Sequence, residues 1–214
     1  MEKAKIKLKM LVVYMIAMLL SSTYASCQEQ QEIIISDFPA TGLILDIGGG
    51  GEGVIGQLKG DQVISIDINE RELIDAPSKN LKIVMDARDL KFIDNSFNTA
   101  VIFYTLMYIK GIDHEKVFNE VYRVLKHNGK LIIWDVNLPA RTGSTPEDIT
   151  YYFKFQLPNT IINTGYGVRR PDKAQNLHYY IDIAKKTGFR IIDSLQNGSS
   201  LYLEAQKTNG IQQQ

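Results

Sequence analysis

Cysteine is nearly absent from this chain, since Cys27 is the single one among 214 residues. One cysteine excludes a disulfide framework and a zinc site built from several thiolates. Histidine is also scarce, and His114, His127 and His178 lie too far apart in sequence to show a metal-ligand spacing. We therefore expect no metal site.

Neither sign of charge is in excess, because 24 lysines and arginines balance 24 aspartates and glutamates. A chain without net positive charge gives no indication of the basic patch that nucleic acid binding requires. We therefore predict no nucleic acid partner. A length of 214 residues suits one domain with a full core and is too short for two large domains.

Long apolar runs are missing except near the N-terminus, at residues 10–20. Lysines at positions 3, 5, 7 and 9 precede this run, and small or polar residues 21–27 follow it. This order is typical of a signal peptide, and the run is shorter than the ~20 residues of a membrane-spanning helix. An uncleaved membrane anchor and lipidation of Cys27 are the alternatives. We predict that residues 1–26 are a signal peptide or N-terminal membrane anchor and that residues 27–42 are a linker and lead-in.

This leader also sets the expected location. We expect the protein to be membrane-associated or exported through the N-terminal hydrophobic segment, and to be cytoplasmic if the start of the chain is misassigned.

Glycine is concentrated in one stretch, which follows an apolar segment with an acid near its end. Leu43–Ile47 is apolar apart from Asp46, and glycines occupy positions 48–51 and 53. The glycines fit the spacing G-x-G-x-x-G, which is typical of dinucleotide-binding loops. A carboxylate just before the glycines gives a pyrophosphate no favourable contact, whereas it attracts a cationic ligand.

Apolar segments and helical patterns alternate along residues 43–135. Strands are predicted at 43–47, 63–67, 81–85, 99–104 and 130–135, and helices at 53–58, 69–75 and 114–126. Such alternation predicts a parallel sheet with helices on both faces. Four acids stand at the strand ends: Asp46, Asp67, Asp86 and Asp135. Ligands bind beyond the carboxyl ends of parallel strands, so these acids indicate a ligand site.

Residues 139–172 interrupt this alternation, and we interpret them as an inserted hairpin or lid that admits the acceptor. Four aromatic residues there either line an apolar pocket or form the hairpin core: Tyr151, Tyr152, Phe153 and Phe155. A helix over 171–186 follows, and then strands at 190–195 and 201–205. The turn at Gln196–Gly198 between these strands predicts an antiparallel hairpin.

Taken together, these motifs resemble the class I S-adenosylmethionine-dependent methyltransferases, of the ubiquinone-biosynthesis-like type (methyltransferase domain type 11). The resemblance covers Leu43–Asp135 and rests on five motifs: Asp46-x-Gly48-x-Gly50, Asp67, Asp86-Ala87, Ser96-Phe97-Asn98 and Arg123-Val124-Leu125-Lys126-x-x-Gly129. The chain departs from the family pattern at Asn98, His127 and Glu52. The resemblance implies an α/β fold with a Rossmann-like, seven-stranded, mostly parallel sheet, an antiparallel C-terminal hairpin and helices on both faces. This methyltransferase domain would span residues 43–206, before a polar tail at 207–214.

The resemblance also implies S-adenosyl-L-methionine as the cofactor. The cofactor-binding residues would be Asp46, Gly48, Gly49, Gly50, Asp67, Ile68, Asp86, Ala87, Phe103 and Tyr104. The glycines would let the backbone approach the methionine part, with Asp46 near its ammonium. Asp67 would accept both ribose hydroxyls. Ile68 would pack on the adenine, and Asp86 would bind the adenine amino group beside the Ala87 amide.

Phe103 and Tyr104 would close the site near the sulfonium, and the expected reaction is in-line methyl transfer to a small-molecule or lipid-like acceptor. The catalytic residues are unknown. Five residues are candidate general bases: Tyr108, His114, Asp135, His178 and Tyr179. Two other functions remain open, namely an NAD-dependent oxidoreductase and a non-catalytic nucleoside-binding protein at the membrane. The export-like leader favours the latter, because S-adenosylmethionine is made in the cytosol.

Overall fold

The computed structural model of the protein describes residues 30–208. Within this range, ten strands and four α-helices follow one another along the chain. The strands are β1 (Gln31–Ile34), β2 (Ile44–Ile47), β3 (Val63–Asp67), β4 (Leu81–Val84), β5 (Phe97–Phe103), β6 (Leu125–Val136), β7 (Asp148–Gln156), β8 (Ile161–Arg169), β9 (Phe189–Asn197) and β10 (Ser200–Lys207). The helices are α1 (Val54–Lys59), α2 (Glu70–Asp75), α3 (His114–Val124) and α4 (Leu177–Thr187).

The predicted leader at residues 1–26 lies outside the described residues, as does most of the predicted tail. None of the helices found between residues 30 and 208 is long and apolar enough to cross a lipid bilayer.

Seven strands form the main sheet, in the order β4-β3-β2-β5-β6-β10-β9. The first five of these pair in parallel, whereas β10 is antiparallel to both β6 and β9. This arrangement confirms the predicted fold of a mostly parallel sheet with an antiparallel C-terminal hairpin. Because β2, β3 and β5 are parallel neighbours, the residues that follow them meet at one edge of the sheet.

Successive residues of a strand point to opposite faces of the sheet, and β2 shows this directly. Leu45 packs in a buried cluster with residues of α3 and α4, among them Phe118 and Tyr180. Ile44 packs in a second cluster with Val54 of α1 and with Phe155. Helices therefore lie on both faces, and part of the second face is covered by a further sheet.

This further sheet has three strands in the order β1-β7-β8. Strands β7 and β8 form the hairpin predicted within residues 139–172, and β1 adds to β7 in parallel. Tyr151, Phe153 and Phe155 point inward and are buried, whereas Tyr152 is exposed on the other face. Three of the four aromatic residues at 151–155 are thus hairpin core rather than the lining of a pocket.

Two helices differ from the prediction at their ends. Helix α3 ends at Val124, and the following Leu125 and Lys126 already belong to β6. Helix α4 begins at Leu177 rather than at 171, because the side chain of Asn176 caps it by accepting from the backbone N–H of Tyr179.

Candidate cofactor site

A cleft of about 720 Å³ lies at the carboxyl edge of β2, β3 and β5. Its volume is within the ~300–1,000 Å³ typical of small-molecule sites. All ten residues predicted to bind the cofactor line it: Asp46, Gly48, Gly49, Gly50, Asp67, Ile68, Asp86, Ala87, Phe103 and Tyr104. The structure thus brings them together, and their individual roles towards a cofactor remain predictions.

The glycine loop, residues 48–53, forms the floor of the cleft between β2 and α1. The N–H groups of Gly48 and Gly49 donate to the carbonyl oxygen of Ile66, at 2.8 and 3.0 Å, which ties the loop to β3. A Cβ atom at Gly49 would lie 2.2 Å from Oδ2 of Asp46 and 2.6 Å from Oγ of Ser65. Only glycine fits this position, because the loop backbone rests directly on the Asp46 carboxylate.

Asp46 is a buried acid beneath this loop, with 2% of its surface exposed. Its Oδ2 atom accepts a hydrogen bond from Ser65 at 3.0 Å, and Ser65 accepts one from Asn80 at 2.9 Å. Burial raises the pKa of Asp46 to about 7, and the Ser65 hydrogen bond opposes this only in part. A positive group in the cleft would compensate the buried charge, so this position favours a cationic ligand.

Asp67 ends β3 at the neighbouring position of the edge. Its Oδ1 atom accepts from the backbone N–H of Asn69 at 2.8 Å, which fixes the side chain at the start of α2. A Cβ atom at Gly50 would lie 3.0 Å from Oδ2 of Asp67. The absence of a side chain at Gly50 therefore keeps this carboxylate oxygen accessible from the loop side, next to the exposed Ile68.

Asp86 follows β4 and is held by a basic residue that the sequence analysis did not single out. Arg88 donates through Nε to both carboxylate oxygens of Asp86, at 2.9 and 3.0 Å, and through Nη2 at 2.7 Å. Arg88 also binds Asp113 at 3.2 Å. The hydrogen bonds from Arg88 lower the pKa of Asp86 and keep it charged. Arg88 lines the cleft as well, so this end of the cleft contains a cation beside Asp86, the predicted acceptor for the adenine amino group.

Phe103 and Tyr104 stand at the end of β5 and form an aromatic wall. Their ring centroids are 4.9 Å apart, and Tyr104 has a positive φ of 49°, which turns the chain over the cleft. The Tyr104 hydroxyl bonds to Ser200, and its ring stacks on Tyr166 with centroids 5.5 Å apart. Tyr166 comes from strand β8 and lines the cleft together with Gly165.

Asp135, the fourth strand-end acid, does not lie at the cleft. It is fully buried, and its oxygens accept from the backbone N–H groups of Leu106 and Val136, both at 2.8 Å. Burial raises its pKa to about 7. Asp135, a candidate ligand contact and general base, is therefore not among the residues that line the cleft. Its carboxylate holds the turn after β5 by accepting from the backbone N–H of Leu106.

Of the other candidate bases, the structure brings only Tyr108 to the cleft. His114 is buried, and its ring bonds to the Tyr179 hydroxyl and to two backbone carbonyl oxygens. His178 and Tyr179 lie on α4, outside the cleft lining. Burial and nearby acids, Glu52 foremost among them, raise the pKa of Tyr108 to about 12, so its hydroxyl remains protonated at neutral pH.

Several cleft residues were not foreseen as site residues. They are Glu52, Glu72, Arg88, Thr105, Lys110, Gly165 and Tyr166. Glu52 had one signal, its departure from the family pattern directly after four glycines. Tyr166 had none, because its place over the cleft depends on how β8 pairs with a distant part of the chain.

A family model and several known proteins are similar to parts of this chain. Residues 45–133 match the model of a family described as a methyltransferase domain. The ubiquinone/menaquinone biosynthesis C-methyltransferase UbiE of Desulfotalea psychrophila is 36% identical over 75 residues, which cover 35% of this chain and 29% of that protein. The sterol 4-C-methyltransferase strm-1 of Caenorhabditis elegans is 34% identical over 120 residues, which cover 53% of this chain and 32% of that protein.

A solved structure of a SAM-dependent methyltransferase from Methanosarcina mazei superimposes with a TM-score of 0.57. The two sequences are 18% identical, and the superposition covers 80% of this chain and 95% of that chain. This likeness shows the same fold. The chain spans about a third of the length of the two relatives above.

Proposed function

We propose that this chain, whose residues 45–133 match the model of a methyltransferase domain, is a class I S-adenosylmethionine-dependent methyltransferase that transfers a methyl group from S-adenosyl-L-methionine to a small-molecule or lipid-like acceptor. One observation carries the proposal. One cleft joins a glycine loop to acids at the carboxyl ends of three neighbouring strands, Asp46, Asp67 and Asp86. A nicotinamide dinucleotide would bring its pyrophosphate to the loop, directly above the buried carboxylate of Asp46.

The strand order gives the proposed cofactor a direction. Asp86 follows β4 at the sheet edge, Asp67 ends β3, and Asp46 lies in β2 beside β5. Three strand spacings separate β4 from β5, which is roughly 14 Å. The adenosine part would then lie towards Asp86 and Asp67, and the methionine part over the glycine loop and Asp46.

When bound, S-adenosyl-L-methionine supplies an electrophilic methyl group on a sulfonium. The chain itself has to bind and orient the reactants and to exclude water, and this positioning can provide much of the rate of methyl transfer. The aromatic faces of Phe103, Tyr104 and Tyr166 suit a cationic centre. Tyr108 keeps its proton at neutral pH, so it serves better as a hydrogen-bond donor than as a base.

The acceptor would enter on the side of Tyr108 and Tyr166, beyond the methionine end. This part of the cleft combines aromatic rings with the Glu52 carboxylate. The matched relatives are named for ubiquinone/menaquinone biosynthesis and for sterol methylation, which supports an acceptor with an apolar body.

Calorimetric titration of the full chain with S-adenosylhomocysteine and, separately, with NAD tests the proposal. We expect micromolar binding of S-adenosylhomocysteine and none of NAD, and the reverse result would refute it. Asp67→Ala should abolish binding of S-adenosylhomocysteine, because the ribose hydroxyls lose their acceptor. Unchanged affinity in a folded Asp67→Ala protein would contradict the assigned role.

We further propose that residues 1–26 carry the protein to a membrane or across it. The support is the order of lysines, apolar run and small residues in that segment. A C-terminally tagged full chain should sediment with membranes or leave the cell, whereas a chain lacking residues 1–26 should stay in the soluble fraction. A soluble full chain with its N-terminus intact by mass spectrometry would contradict this. Protease access to the tag would show which side of the membrane the domain occupies.

A further inference from the structure

Glu52 connects the glycine loop to strand β8. Its carboxylate accepts hydrogen bonds from two hydroxyl groups of that strand, those of Thr164 and Tyr166, the latter at 3.1 Å. Since a carboxylate can only accept, both hydroxyls donate to it. The backbone carbonyl of Glu52 also accepts from Gln57 at 2.7 Å, which holds the residue against α1. The acid at the end of the glycine run is therefore shared between the cofactor floor and the three-stranded sheet.

Within the described residues, strand β8 pairs along its length with β7 alone. It is an edge strand of the sheet β1-β7-β8, and its residues 161–167 are exposed or only partly buried. Gly165 and Gly167 contribute no side chains to packing, and glycine weakens a strand interior. Edge strands with few buried contacts belong to the parts of a protein that open most readily. Over the cleft, the two bonds to Glu52 join the contacts of the Tyr166 ring, which stacks on Tyr104 and lies with its centroid 6.0 Å from Phe153 and 6.3 Å from Phe155.

We propose that Glu52 is a positioning residue that fastens β8 over the cleft and couples cofactor binding to closure of the acceptor wall formed by Tyr166. The coupling rests on the proposed function, because it requires a ligand on the glycine loop. A ligand that orders the loop fixes Glu52, and Glu52 then holds the two hydroxyls of β8. Because the Tyr166 hydroxyl donates its proton to Glu52, its oxygen is left to accept from an O–H or N–H group of the methyl acceptor.

Hydrogen–deuterium exchange of the full chain tests the fastening without any ligand. In Glu52→Ala, amides of residues 161–166 should exchange at least about tenfold faster than in the wild type, since hydrogen bonds to a charged group are lost. Glu147→Ala is the matched control. Glu147 accepts a hydrogen bond from Arg169 at the far end of β8, away from the cleft. Its loss should leave the exchange rates of residues 161–166 within about twofold of the wild-type rates.

The same measurement with S-adenosylhomocysteine at about 100 times its dissociation constant tests the coupling. Opening that requires release of the ligand slows by up to about 100-fold, and we expect at least about tenfold at β8 in the wild type. In Glu52→Ala the ligand should slow amide exchange in β8 by less than about twofold. Glu52→Gln should fall between the two, because an amide oxygen can still accept one of the hydroxyls. Tyr166→Phe keeps the ring and removes one of the two hydroxyls, so its exchange should resemble that of Glu52→Gln. This variant replaces Glu52→Ala if the alanine variant fails to fold.

The outcomes separate this inference from the proposed function. Protection of residues 48–53 by S-adenosylhomocysteine with no protection of β8 overturns the coupling and leaves the proposed function intact. Equal protection of β8 in wild type and Glu52→Ala overturns it as well. If S-adenosylhomocysteine does not bind the wild type, the proposed function and the coupling are both refuted. Separately, unchanged ligand-free exchange in Glu52→Ala refutes the role of Glu52 in fastening β8.

Discussion

Replacement of Asp46 by asparagine should stabilise the ligand-free protein, by an amount that grows with pH. Asp46 is almost completely buried, and its Oδ2 atom accepts a hydrogen bond from Ser65 at 3.0 Å. Asparagine has nearly the same shape, and its side-chain oxygen can accept the same bond. The substitution therefore removes the charge and preserves the packing beneath the glycine loop.

The magnitude follows from the pKa of the buried carboxyl group. Burial raises the pKa of Asp46 from 3.8 to about 7, so between these values the native state binds more protons than the unfolded chain. Stability is therefore lost as pH rises through this window. Relative to a carboxyl group whose pKa stays at 3.8, the raised pKa lowers the free energy of unfolding by about 2 kcal/mol at pH 5, where native Asp46 is protonated, and by about 4 kcal/mol at pH 8, where it is charged. The advantage of Asp46→Asn over the wild type should thus increase by about 2–3 kcal/mol from pH 5 to pH 8.

Urea denaturation at both pH values measures this difference, with the fluorescence of Trp134, the single tryptophan of the chain, as the probe. Asp135 also has a raised pKa, but it is present in both proteins and cancels in the comparison. The exposed Asp61→Asn controls for the loss of one negative charge. An advantage that does not change with pH would refute the reasoning. Under the proposed function, Asp46→Asn should also bind S-adenosyl-L-methionine more weakly, because the ammonium loses its counter-charge.

Three further changes test the site and the core. Asn69→Ala removes the side-chain cap of α2 and should lower the free energy of unfolding by about 1 kcal/mol, whereas Asn69→Ser should restore most of it. Gly49→Ala would place a Cβ atom 2.2 Å from the Asp46 carboxylate, so calorimetry should show weaker binding of S-adenosylhomocysteine; Gly143→Ala, whose Cβ meets nothing within 4 Å, should leave it unchanged. Phe118→Ala opens a cavity in the core beside α3, and urea denaturation should show a loss of about 3–5 kcal/mol, with a loss below 1 kcal/mol contradicting its burial.

The cofactor side of the cleft was predictable because its signals are local. An apolar strand, an acid and a glycine loop occur within one short stretch, and they place Asp46 and the glycines without any knowledge of the rest of the fold. The same holds for Asp67, since the parallel strand that carries it is followed by a capped helix. Parallel topology then brings these separate strand ends to one edge.

The side of the cleft formed by β8 could not be predicted, because it depends on pairings between distant segments. Tyr166 reaches the cleft only through β8, and β8 is held by a sheet that also recruits β1. Asp135 shows the converse case. It has the same sequence context as the other strand-end acids, but a tight turn after β5 uses its carboxylate as a backbone acceptor. Arg88 was missed because a basic residue two positions after an acid is common on protein surfaces.

The pairing of β1 with β7 has a consequence for the order of folding. Glu32 of β1 accepts a hydrogen bond from Gln156 of β7, a residue 124 positions later in the chain. Closing so long a loop has an entropic cost that must be met before the contact contributes, so such pairings form late. During synthesis the glycine loop and strands β2 to β5 are complete before β7 exists. We therefore expect the cofactor floor to form first, and the acceptor wall to be added last, onto a nucleus that already exists.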